Sequence, residues 1–151
     1  MTGPTRVLIV ANRTAATDQL LDAVRRRASA GPAEFHLLVP ATPRGLHRVI
    51  DPEDAGREEA AQQLEHALPR LREVVGAEVT GHVGDFDPMA AISDTMHERQ
   101  VDELIISTLP RRLSRWMHLD LPRKVVGLGL PVTHVEAKRL PEEQAVSGEA
   151  A

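Results

Sequence analysis

The chain contains no cysteine. Disulfides, thiolate nucleophiles and cysteine-ligated zinc are therefore excluded. The absence also suits a reducing compartment, and a cytoplasmic location is expected. Tyrosine is missing as well, and Phe35, Phe86 and Trp116 are the only aromatic residues among 151. A core built from this chain must be aliphatic, and it offers few stacking platforms for single-stranded nucleic acid. No basic excess exists either: the formal net charge is -4, without the electrostatic footprint of a duplex-binding domain. No apolar run approaches the roughly 20 residues that a membrane helix requires. The first residues lack the charged-then-apolar pattern of a signal peptide. Neither a nucleic acid nor a membrane is expected as a partner.

What is present is an ordinary globular balance, 42% hydrophobic and 26% charged. One domain is the default at this length, and a core that needs no covalent staples is within reach. Val7, Leu8, Ile9, Val10 and Ala11 form a continuous apolar run. So do Phe35, Leu37, Leu38 and Val39, and later Leu104, Ile105 and Ile106. Such runs suit strands covered on both faces, as in parallel sheets. Residues 78–83 are mixed in polarity and predict an edge strand, and residues 130–135 a fifth strand that Pro131 places at an edge or a strand start.

Between these runs the period changes to that of a helix. Leu20, Leu21, Val24 and Ala28 share one stripe in residues 14–30, which Gly31 and Pro32 end. Ala61, Leu64, Leu68, Leu71 and Val75 do so in residues 54–75. Asp87-Pro88 predicts a capped helix start, and Asp120-Leu121-Pro122 predicts another. The alternation of strand and helix requires crossover connections, so the fold class is α/β. The expected architecture is a single open, mostly parallel five-stranded sheet with helices on both faces, spanning residues 1–137. Residues 138–151 are small and charged and read as a disordered tail. Residues 41–53 form a long connection of the kind that is often functional.

Ligands of open α/β sheets bind beyond the carboxyl ends of the strands. That directs attention to Asn12, Arg13 and Thr14, to residues 40–43 and 84–87, and to residues 107–120. The last loop places Arg111, Arg112, Arg115, Arg123 and Lys124 within fourteen residues. Arginine recognises phosphate or carboxylate through a planar fork. The plainer alternative is a solvated face with Trp116 and Met117 packed beneath it. Asp85 and Asp87 read as helix-start residues before they read as a magnesium site, and Asp51, Glu53 and Asp54 likewise. No two of the seven histidines share helical ligand spacing, so no metal site is expected, and His36 and His134 are assigned to strands as structural residues. Ser107, His118 and Asp120 are a weak nucleophile, base and orienter set without a nucleophile-elbow motif.

Residues 113–125, with their Leu-Ser-Arg start, apolar middle and basic residue before a valine, resemble the nucleotide loop of the universal stress protein family. Residues 84–92 and 101–107 are similar to that family's third loop, third helix and fourth strand. The resemblance spans about residues 5–136. It implies the strand order of that fold, a homodimer paired through Val132, Thr133, His134 and Val135, and an ATP site. That site would use Asn12 and Val39 at the base, with Pro40 beside them, and Ser107, Thr108 and the loop at the phosphates. The departures lie at the end of the first strand, where Ala11-Asn12 stands near the position of that family's usual aspartate, and in the loop itself. Ser107 or Thr108 and Pro110 or Arg111 stand where the first two glycines are expected, Leu119 replaces the third, and Asp120 replaces the Ser or Thr. Glycines let backbone amides approach phosphate, a proline removes one amide, and an aspartate at a helix start repels phosphate. The expectation is a non-enzymatic stress-response or regulatory module without a cofactor that does not bind ATP in the usual way. The alternative is ATP or AMP, with magnesium, held by Arg13, Arg111, Arg112 and Arg115 in place of the glycines. A phosphoacceptor receiver domain shares the rhythm, but Ala11-Asn12 fails its need for acidic residues after the first strand.

Overall fold

The apolar runs become the centre of a sheet in the computed structural model, which describes residues 3–42 and 52–138. The strands are β1 (Thr5–Val10), β2 (Ala33–Pro40), β3 (Val79–Gly84), β4 (Glu103–Thr108) and β5 (Val132–Glu136). All neighbours pair in parallel, in the order β3-β2-β1-β4-β5. Ile9 lies opposite Leu37 on one side and Ile105 on the other. β1 and β4 are thus inner strands, which is why their sequences are apolar without alternation. The mixed residues of β3 and the short β5 occupy the two edges, as their polarity and Pro131 imply.

Two helices cover one face: α1 (Asp18–Ala30) and α2 (Pro52–Val75). They bury Leu20, Val24, Ala60, Ala67 and Leu71 against Val7, Ile9, Leu37, Val39 and Ile105. The other face carries α3 (Pro88–Glu98) and, after the short α4 (Arg115–His118), α5 (Leu121–Val126). There Ala91, Ile92, Leu121 and Val125 pack on Leu8, Val10, Leu38, Leu104 and Ile106. Each such Leu or Ile, fully buried, is worth roughly 1.5–3 kcal/mol relative to exposure, so the two aliphatic layers carry the stability. Arg27 Nε, 2.8 Å from Glu103 Oε2, ties α1 to the start of β4 with both side chains about four-fifths buried.

Some boundaries differ from the sequence reading. Residues 13–16 are turns, closed by Ala15 N to Asn12 O and Thr17 N to Thr14 O, Thr17 is extended, and α1 starts only at Asp18. The second helix begins at Pro52 instead of 54 and passes through Pro69, whose missing N–H leaves the Glu65 carbonyl without its helical donor. The arginine loop is not irregular throughout: Arg111–Leu113 form a 3-10 turn before α4. Most of the long connection, residues 43–51, lies outside the described residues, as does the expected tail apart from Lys138. Among the described residues no helix is long and apolar enough to cross a membrane.

Asp87 caps α3 as expected, its Oδ1 accepting from Met89 N at 3.1 Å, and Asp85 Oδ1 accepts from Asp87 N at 2.9 Å. Asp120 does not cap α5. Its backbone is left-handed (φ 61, ψ 34), and its side chain accepts nothing from the helix. A capping residue needs an extended backbone to turn its oxygen onto the first amides. Asp120 instead stands in a conformation that costs most residues roughly 1–2 kcal/mol and asparagine and aspartate less.

Candidate functional site

The strand order reverses between β1 and β4, and their carboxyl ends open a crevice there. Its floor is set by Asn12, just past β1. Asn12 Nδ2 donates to the Pro40 carbonyl at 2.6 Å and to Thr42 Oγ1 at 3.1 Å. A carbonyl can only accept, so the amide orientation follows from the contact. The consequence is that Asn12 Oδ1 is buried without a hydrogen-bond partner among the described residues. Unsatisfied buried acceptors are uncommon, and this one calls for an outside donor.

The opposite wall comes from β4. Ser107 Oγ donates to Thr14 Oγ1 at 2.7 Å, pinning the loop after β1 to the end of β4. Thr108 Oγ1 lies 2.8 Å from His134 Nε2 and joins β4 to β5. Ser114 Oγ accepts from Met117 N at 3.1 Å and starts α4, which brings Arg115 and Trp116 over the crevice. The result is a cleft of about 190 Å³ as bounded by the described residues. Small-ligand sites usually measure about 300–1,000 Å³, so this one is small. Arg13 and Arg115 are its charged residues, and no acid is among the described residues that line it.

Asn12, Arg13, Ser107, Thr108 and Arg115 therefore meet at one place, as the sequence reading grouped them. Val39 does not reach it: its side chain is fully buried on the α1–α2 side of the sheet. Pro40 is buried and contributes its carbonyl to Asn12. Arg111 and Arg112 are exposed on the 3-10 turn and stand outside the lining. Arg123 faces Asp120 at 3.9 Å in solvent. Thr14, Thr42, Ser114 and Trp116 also line the cleft; they fall in the loops the sequence pointed to but were not among its candidate ligand-binding residues. For Ser114 a signal existed, since serine ahead of a helical turn is a cap. Ser107, His118 and Asp120 are not assembled: Ser107 gives its hydroxyl to Thr14, while His118 and Asp120 are exposed.

A glycine-loop ATP site brings backbone amides close to phosphate. Pro110 offers no amide, the residue in the left-handed conformation at the mouth of α5 is an acid, and α5 has only six residues. In the strands of the edge dimer read from the sequence, Val135 is buried, Val132 is half-buried, and Thr133 and His134 are exposed.

No family model matches the chain, and no curated protein matches it. Solved structures do. A universal stress protein from Archaeoglobus fulgidus superposes with a TM-score of 0.61 at 16% identity, over 88% of this chain and 94% of that one. A universal stress protein in complex with cAMP gives 0.60 at 18%, over 91% and 100%. A universal stress protein family protein from Arabidopsis thaliana with AMP bound gives 0.55 at 14%, over 89% and 93%. The chain has the fold of the universal stress proteins, and the resemblance read in residues 84–125 pointed to the same fold.

Proposed function

We propose that this chain is a universal-stress-type regulatory module that acts by association, catalyses no reaction and does not hold ATP through a glycine loop. The observation that carries the reading is the cleft itself. It has the position of a ligand site in this fold, yet it is small, its walls are side chains, and its loop has Pro110 and Asp120 where close backbone approach to phosphate is needed. Its hydroxyls serve the scaffold, Ser107 with Thr14 and Thr108 with His134. As a partner surface the module offers β5, an edge strand, to a second copy of itself.

A second reading has one observation of its own. Among the described residues, Asn12 Oδ1 lacks a donor, and Arg13 and Arg115 lack an acid across the cleft. A ligand with an N–H at one end and an oxyanion at the other satisfies both, as a nucleoside monophosphate does. The structures bound to cAMP and AMP make that class the natural one to test.

Calorimetry with ATP and magnesium, and separately with AMP, on protein stripped of nucleotide decides between them. No heat from ATP is expected. Micromolar binding of ATP would overturn the proposal. Binding of AMP alone, lost in Arg115→Gln, would establish the second reading.

A further inference from the structure

The larger cavity lies at the other end of the sheet. α3 is short and stops at Glu98, so the first halves of β2 and β3 on its side are left without helical cover. At those positions the apolar pattern gives way to polar residues: His36 precedes Leu38 on β2, and Thr80 precedes His82 on β3. The uncovered area is a groove of about 550 Å³, walled by the start of β1 and by Arg99, Gln100 and Val101, which follow α3. That volume lies within the usual range of small-ligand sites.

Thr80 and His36, which line the groove, begin a chain of hydrogen bonds that continues behind it to His82 and Thr95. Thr80 Oγ1 lies 2.7 Å from His36 Nδ1, and His36 Nε2 lies 2.6 Å from His82 Nδ1. His82 Nε2 reaches Thr95 Oγ1 at 3.4 Å, and Thr95 Oγ1 donates to the Ala91 carbonyl at 2.8 Å. Because Thr95 gives its proton to a carbonyl, one ordering satisfies the whole chain. His82 donates to Thr95, His36 donates to His82, and Thr80 donates to His36 Nδ1, with both imidazoles neutral. The charges around it are unevenly matched. Glu34 stands 3.8 Å from Arg6, whose Nη1 also donates to Gln100 Oε1, and Glu78 is held by Arg72 at 2.5 Å. Arg99 lines the groove with no ion pair among the described residues, and its charge acts on both histidines. Glu98 acts on His82 in the opposite sense.

We propose that this groove is a binding site for a small oxyanion, a carboxylate or a phosphate, held by the Arg99 guanidinium and the Thr80 hydroxyl with uptake of one proton at His36. The proton comes from solvent and settles on His36 Nδ1. That N–H then donates to Thr80 Oγ1, and the Thr80 O–H swings to the anion. Burial is the main reason His36 is neutral in the free protein, and the Arg99 charge adds to it; the bound anion cancels that added charge, so protonation of His36 is opposed less than before. The site is separate from the β1–β4 cleft and shares no lining residue with it.

The test is a titration followed through the imidazole nitrogen signals in NMR, with inorganic phosphate in one arm and succinate in the other, at ionic strength matched with chloride. Saturable shifts at His36 and His82 in at least one arm are expected, and the responding arm names the chemistry. Arg99→Gln, an exposed substitution, abolishes them, while Arg115→Gln in the other cleft leaves them in place. Affinity rises as pH falls, by up to about tenfold per pH unit, the limit for uptake of one proton. Shifts that survive Arg99→Gln, that chloride reproduces, or that fail to appear in both arms would overturn the proposal, as would affinity independent of pH.

Discussion

At the scale of single residues, Asn12 shows why an amide and not a carboxylate ends β1. Its Nδ2 lies 2.6 Å from the Pro40 carbonyl, and an aspartate there would set oxygen against oxygen. Asn12→Asp is expected to lower stability by about 1–3 kcal/mol, the cost of a buried acceptor losing its donor. Urea denaturation compares the two, and an unchanged midpoint would show that the contact is not held in solution. The histidine pair sets a second expectation. His36 is pushed down to about 4, first by burial, then by Arg99 and by His82. Burial likewise lowers His82. The unfolded chain, with His36 near 6.5, binds the extra proton first, so this contribution to stability is complete above about pH 7. It declines as pH falls from about 6.5 towards 4 and is flat below. Carboxylates titrate at the lower end of that window, so the difference between wild type and His36→Gln isolates the effect. Stability of His36→Gln should fall less steeply with acid than that of the wild type, measured as urea midpoints at about pH 7 and about pH 5.

At the scale of elements, the close approach of α3 to β3 depends on two small residues. A Cβ on Gly84 would sit 2.9 Å from Ala91 Cβ and 2.7 Å from Leu38 Cδ1. Gly84→Ala is therefore expected to cost about 1–3 kcal/mol, as overpacking does. Ala91→Gly alone costs about 1 kcal/mol through helix propensity. The double substitution should cost less than the sum, because the second change makes room for the first, and additive values from a urea-denaturation cycle would refute the contact. The elements themselves were legible wherever burial was one-sided or complete. The runs in β1 and β4 and the stripes in α1 and α2 announce the layers, because covered faces permit few residue types. The 3-10 turn and α4 were not legible, since three and four residues are too short to show a period. Nor was the left-handed Asp120, whose aspartate-leucine-proline signature reads as a cap and whose tertiary context imposes another backbone. Arg115 belongs to the cleft and Arg111 and Arg112 do not, a distinction created by that same short turn. The pair His36–His82 was invisible for a different reason. Residues 46 apart meet only through the register of β2 with β3, which sets His82 beside Leu38 and diagonal to His36.

At the scale of the whole molecule, the sheet has two open edges, and only one is well suited to pairing. β3 contains Gly81 and ends in Gly84, and glycine weakens a strand as a template. β5 contains no proline, glycine or lysine within its bounds, the features that blunt an edge. Its orientation can be read from the ladder. The Pro131 carbonyl accepts from Leu104 N and Ala137 N donates to the Thr108 carbonyl, so odd-numbered residues bond to β4. In a parallel ladder the alternate residues, 132, 134 and 136, turn their backbone groups outward. His134 is the middle one. His134→Pro removes the outward N–H at the centre of the edge and leaves every bond to β4 available. His134→Ala removes the same side chain, with its contact to Thr108, and keeps the N–H. If β5 joins two copies, the wild type and His134→Ala run at twice the 16.5 kDa chain mass in light scattering, while His134→Pro runs as a folded monomer. A monomeric wild type, or a dimer that survives the proline, would remove β5 as the place where this module meets its own copy.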